Sequence, residues 1–225
     1  MIQLENSISN CGSILKEYAE RENRQISGYI FPLIPPEITS AFGIESVKLP
    51  ESIIIGEQRI NVEGSIYKTL ILPEKEMPCS PGRFSDIPVY YINYPGGYGE
   101  DAAVQIHNET ASMLSSLFNI DLKSIDISVL QKRTKVFETL RRSVRTIMSL
   151  HNEKKGSLNF EELDLIFEVS AIFPPEIALK YITPLIEELQ NFLPEPKEYK
   201  AKALIYGARK IPSYIMDFIE NHGID

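Results

Sequence analysis

A chain of 225 residues with 43% hydrophobic and 24% charged side chains has the composition of a protein that buries a core, which excludes disorder on compositional grounds. Its net charge of -8 and pI near 5.1 weigh against binding nucleic-acid phosphates or an anionic membrane surface. The first residues hold no apolar signal segment, no run approaches the ~18 apolar residues of a membrane-spanning helix, and two cysteines exclude a disulfide framework, so a cytoplasmic setting is expected.

Leu4, Ile8, Cys11, Leu15 and Tyr18 recur at helical spacing, which predicts one helix over 3–22, closed by the polar run ERENRQ. Cys11 lies on that apolar stripe and reads as a small core hydrophobe. Residues 28–43, GYIFPLIPPEITSAFG, begin extended and turn into a short helix. Pro35 or Pro36 stands near its first position, Glu37 in its first turn and Gly43 just past its end. The runs SVKL, SIIIG, RINVEG and IYKTLILP are short and β-branched, separated by Pro, Gly and charge, and predict strands. Residues 51–64 are expected to form a side hairpin.

The stretch 73–86, PEKEMPCSPGRFSD, is dense in turn formers and carries Cys79 in a loop. PVYYINY predicts a strand over 88–94, and PGGYGED leads into a helix over about 100–118. A longer helix covers about 126–151. Leu130, Phe137, Leu140, Val144 and Ile147 form its buried stripe; Lys132, Lys135, Arg142 and Arg145 fall opposite. Arg133 lies on the apolar side and is placed to reach a buried carboxylate. A helix restarts over 159–172 with Asn159 as N-cap, and PPEIALKYITPLIEELQNFL is another, with a kink expected at Pro184.

The alternation after residue 66 predicts a Rossmann-like three-layer α/β domain over 1–192, with a largely parallel sheet containing 66–72, 88–94 and 45–49. After a linker at 193–200, KALIYG and IPSYIMDFIENHG give a strand and a helix. Residues 201–225 therefore read as the first βα unit of a second Rossmann-like domain, and the stretch is expected to be docked within an assembly, because a strand almost wholly apolar apart from its ends needs cover on both faces.

Two stretches resemble the family of 2-hydroxyacyl-CoA dehydratases and benzoyl-CoA reductases. GYIFPLIPPEITSAFGIESVKL is similar to the family's opening strand, Pro-Glu helix start and Ala-x-Gly exit. VYYINYP, an acidic helix, ISVLQKRTKVFETLRRSV and AIFPPEIALKYITPLIEEL follow its strand–helix–helix–helix order, and KALIYGARKIPSYIMDFIENHGI resembles the entry into its second domain. The resemblance implies an iron–sulfur cluster on three cysteines that passes one electron to an acyl-CoA thioester, so that a ketyl radical anion can lose an unactivated hydroxyl. Thiolates suit such a cluster because they match iron and delocalise its charge.

The resemblance also implies that Cys79 occupies a cluster-ligand position, but Ser80-Pro81-Gly82 follow where the family favours an acidic residue and Gly. The cysteine expected between Leu49 and Leu72 is missing, and a third ligand would come from the second domain. Glu138 stands where the family often carries Asn, whereas Arg141 keeps the basic position. One thiolate cannot hold a four-iron cluster, so the isolated chain is expected to bind none, and a [4Fe-4S] cluster would be shared in a larger homo- or hetero-oligomer with a family subunit. The rival expectation is a non-catalytic partner that kept the fold and lost the cluster.

Other motifs carry less chemistry. The loop YPGGYG at 94–99 precedes a helix, but Glu100 and Asp101 already answer the helix dipole, which favours a plain loop over a phosphate cradle. The basic face at Lys132, Lys135, Arg142 and Arg145 would suit CoA phosphates or an acidic partner, against the commoner reading of a solvated helix face. His107, His151 and His222 lack metal-ligand spacing.

Overall fold

The computed structural model describes residues 2–30, 34–50, 66–73, 87–93, 99–154 and 157–193. The first apolar stripe folds as two helices rather than one, α1 (Ile2–Ser9) and α2 (Cys11–Glu22). The break falls at Asn10, whose side-chain amide donates to the Asn6 carbonyl at 2.8 Å, beside Gly12, a poor helix former. Asn23 then ends α2 in the left-handed conformation (φ 50°), which Asn tolerates better than most residues.

The chain enters β1 (Gln25–Tyr29) three residues earlier than the apolar pattern predicts. Its first residue is polar and exposed, so hydrophobicity does not mark the start. Helix α3 (Pro36–Ala41) has Pro36 in its first turn, and the exit runs through Gly43 at φ 82°, the expected asymmetry. Strands β2 (Ile44–Lys48), β3 (Tyr67–Pro73) and β4 (Val89–Ile92) follow. All pairings are parallel, in the order β2-β1-β3-β4.

Helices α4 (Glu100–Phe118), α5 (Ile127–Glu153), α6 (Phe160–Ile172) and α7 (Pro175–Asn191) complete the described elements. Asn159 caps α6 in a full capping box with Glu162, and Asp126 caps α5 through the amides of Ser128 and Val129. Helix α7 runs unbroken through Pro184, which lies on its exposed face.

Alternating strand residues feed two cores. On one face Ile26, Val47, Leu70 and Leu72 meet Leu15 of α2, Ile147 of α5, Ile166 of α6 and Ile182 of α7. On the other, Ile44, Ile71 and Ile92 meet Met113 and Leu114 of α4, with Ile38 of α3 against them. Helices therefore cover both faces of an all-parallel sheet, the three-layer Rossmann-like arrangement that the sequence predicts. The expected hairpin at 51–64, the linker at 193–200 beyond Leu193, and the βα unit at 201–225 lie outside the described residues.

Candidate functional site

β1 is followed by β2 on one side and, in the sheet, by β3 on the other, so the strand order reverses between β1 and β3. In open parallel sheets such a reversal separates the loops leaving the carboxyl ends and opens a crevice there for ligands. Tyr29 and Pro73 end the two strands that flank the reversal. Burial, then the nearby Glu37 carboxylate, push the Tyr29 hydroxyl up to about 12, so it stays a neutral hydrogen-bonding group.

Glu37 sits in the first turn of α3, just past β1, and is buried. It pairs with Arg141 of α5, a half-exposed guanidinium that also lies 3.6 Å from Glu138. The result is a string of polar groups from the carboxyl end of β1 to the surface of α5. It brings Glu138 and Arg141, both singled out in the sequence, to Glu37, which lies 104 positions from Arg141 in the chain.

A second ionic cluster is deeper. Glu45 of β2, with a side chain 1% exposed, points into the helical core beside Val47. Its Oε1 accepts from Arg24 at 2.5 Å, Arg133 at 3.1 Å and the Ser40 hydroxyl at 2.8 Å. Arg133 also pairs with Glu176 at the start of α7, and the Tyr18 hydroxyl donates to both carboxylates at 3.4 and 3.3 Å. The expectation that Arg133 reaches a buried carboxylate holds twice over. Two guanidiniums meet two carboxylates, so the cluster is neutral and ties α2, α3, β2, α5 and α7 together.

Burial pushes the Glu45 carboxyl above its ordinary value, although Arg133 and Arg24 pull the other way. At Glu176 burial also raises the carboxyl, but the Arg133 hydrogen bond wins and leaves it lowered. Every charged group of this cluster has an oppositely charged partner, which suits a structural clamp better than a catalytic centre. A groove of 410 Å³ runs along the amino ends of β1 and β2 past Asn23, Gln25, Phe42 and Gly43. It lies at the opposite end of the sheet from the carboxyl ends of β1 and β3.

Of the residues singled out from sequence, Cys79 lies outside the described residues, in the segment that leaves β3 after Pro73 and returns at Ile87. Cys11 is buried among core side chains, and burial raises its thiol, as expected of a packing residue. Most of the 94–99 loop and His222 also lie outside. His107 is exposed on α4, and His151 is half-buried near the end of α5. Lys132, Lys135, Arg142 and Arg145 are all exposed. Among the described residues no three His, Cys, Asp or Glu side chains gather to hold a metal, so they do not by themselves supply a cluster site. No described helix is long and apolar enough to cross a membrane.

Comparison of the chain with protein-family models and with curated proteins gives no match. Sequence reasoning missed Glu45, Glu176, Arg24 and Tyr18 as one cluster. A signal existed for Glu45, which shares strand parity with Val47 and Leu49 and so falls on their buried face.

Proposed function

We propose that this chain is a component or truncated relative of a 2-hydroxyacyl-CoA dehydratase or benzoyl-CoA reductase system, acting in the cytoplasm within a homo- or hetero-oligomer. One observation carries the reading. The segment bearing Cys79 springs from the carboxyl end of β3, one of the two strands that border the strand-order reversal, where a parallel sheet receives its ligand. An acyl-CoA is the ligand class that the family resemblance supplies. A [4Fe-4S] cluster, where one is used, would bring one-electron chemistry to the thioester and would be shared with another subunit's thiolates. No step is assigned to this chain's residues.

A second reading is a non-catalytic partner that keeps the fold. It is favoured by the cysteine count: Cys11 is committed to the core, leaving Cys79 alone. The experiment is anaerobic reconstitution with iron and sulfide, of the chain alone and coexpressed with a full-length family subunit, in wild-type and Cys79→Ser forms. Iron analysis, electron paramagnetic resonance and calorimetric titration with a 2-hydroxyacyl-CoA are the readouts. The dehydratase reading expects no stable cluster alone, a cluster in the complex that Cys79→Ser alters, and saturable acyl-CoA binding. A complex whose cluster ignores Cys79→Ser, and a chain that contributes no acyl-CoA affinity, would establish the scaffold reading.

A further inference from the structure

Three helices end at the 410 Å³ groove along the amino ends of β1 and β2. Asn23 follows the last residue of α2, Phe42 and Gly43 follow α3, and Leu117 and Phe118 close α4. Carbonyls point along a helix toward its carboxyl end, and the last four have no partner inside it. In α2 the amides of Asn23 and Arg24 both return to Ala19, and in α4 those of Asn119 and Ile120 return to Leu114 and Ser115, short of the terminal carbonyls. With 12 and 19 residues, α2 and α4 each place the equivalent of about -0.5 charge at this end.

A cation already answers the third end. Arg24 Nη1 donates to the Ser40 carbonyl, in the last turn of α3, at 2.9 Å, and to Glu45 at 2.5 Å, so this guanidinium in the groove wall is neutralised by its own carboxylate. The two longer helices lack such an answer. The last turn of α4 holds no basic residue, and Arg21 in that of α2 is paired with Glu22 at 2.8 Å.

The side chains add a second kind of contact. Asn23 and Gln25 are exposed and bring amide oxygens that accept hydrogen bonds. Phe42, Leu117, Phe118 and Ile120 are half-buried, packed on the core at one side and lining the groove at the other. Methylene stems lie readily along such side chains, and an ammonium is attracted to a phenyl face. The volume falls within the ~300–1,000 Å³ of small-molecule sites.

We propose that the groove binds a linear organic cation, an alkylammonium or polyamine, with ammonium groups at the carboxyl ends of α2 and α4 and methylenes on Phe42 and Phe118. An anion would meet the negative ends of two helices on a chain of net charge -8. A bare metal ion would lack carboxylates, since no three His, Cys, Asp or Glu side chains gather among the described residues, and would leave the apolar lining unused. The site stands apart from the acyl-CoA reading, which concerns the other end of the sheet, and neither iron nor a thioester enters its test.

The test is calorimetric titration of the full chain with spermidine and putrescine, beside the neutral diol analogue of putrescine and butyrate, with amide chemical shifts to locate the site. Spermidine should bind saturably and shift the Asn23, Gln25, Gly43 and Phe118 amides, whereas the diol and butyrate should not bind. Gln25→Lys, which places a competing cation in the groove, should weaken binding about tenfold, and Gln25→Glu should tighten it. Asn152→Lys makes the same charge change at an exposed position near the end of α5 and should alter affinity by no more than about twofold. Circular dichroism shows whether each variant is folded; if Gln25→Lys is not, the wild-type shifts and the Gln25→Glu titration carry the test. Absence of saturable binding, shifts scattered over the acidic surface, equal losses in Gln25→Lys and Asn152→Lys, or a diol that binds as well as the diamine would overturn the proposal.

Discussion

Arg133 and Glu45 lie 88 positions apart in the chain, yet the Arg133 Nη2 donates to the Glu45 Oε1 at 3.1 Å with both side chains almost fully buried. The contact joins the long helix α5 to β2, which is the outermost of the described strands on that side of the sheet. A charge here is tolerable because Arg24, Ser40, Tyr18 and Glu176 complete the cluster.

Removing one member should therefore cost far more than an exposed ion pair. Arg133→Met leaves buried Glu45 with Arg24 as its one cationic partner and is expected to destabilise the fold by about 3–5 kcal/mol. The double variant Glu45→Leu with Arg133→Met should recover part of that loss, because the fully buried carboxylate is then gone and only the partly exposed Glu176 is left without Arg133. Urea unfolding of the single and double variants measures both. A single variant within about 0.5 kcal/mol of wild type, the range of ordinary surface changes, would contradict the clamp.

The two carboxylates should respond to pH with opposite signs. Glu45 titrates above its ordinary 4.5 when folded, so its stabilising contribution is complete below that value and is lost as pH rises through the raised folded value. Glu176 titrates below 4.5 when folded, so its contribution is present above that value and is lost as pH falls through the lowered one. Relative to Glu45→Gln, wild type should lose stability as pH climbs from 4.5; relative to Glu176→Gln, it should lose stability on acidification. Denaturant titrations from about pH 3 to 8 decide, and slopes of the same sign for both would refute the assignment.

Gly28 is required by close approach rather than by turn geometry. A Cβ built there would lie 2.6 Å from Leu49 Cδ2 and 2.9 Å from Leu70 Cδ2, on the neighbouring chain segments of the sheet. Gly28→Ala should cost about 1–3 kcal/mol through overpacking. Shortening the nearer neighbour relieves the clash, so the same substitution in a Leu49→Val background should cost less than it does alone. Thermal melts of the four proteins supply the comparison.

Asn159→Ala should destabilise by about 1 kcal/mol, because the Asn159 side chain accepts from the Glu162 amide at 2.8 Å and Glu162 reaches back at 2.9 Å. Asn159→Asp keeps an acceptor at the same place and should be nearly neutral. Faster hydrogen exchange at the Glu162 amide in the alanine variant alone would locate the effect at the cap.

Much of the fold is legible in the sequence itself, wherever residues close along the chain decide the outcome. The α5 stripe of Phe137, Leu140 and Ile147, the Asn159 cap and the Pro36-to-Gly43 helix are local, set by helical period and by backbone chemistry a few residues apart. So is the burial of Cys11 on the face of Leu15 and Tyr18. Tertiary structure alone decided that the polar-starting β1 stands between β2 and β3, and hence where the strand order reverses. It alone selected Glu45 and Glu176, out of 31 acidic residues, to meet Arg133. The physical reason is the same in both cases: strand order and ion pairing between distant segments depend on which surfaces the packed core brings together, and no pattern along one segment encodes its partner.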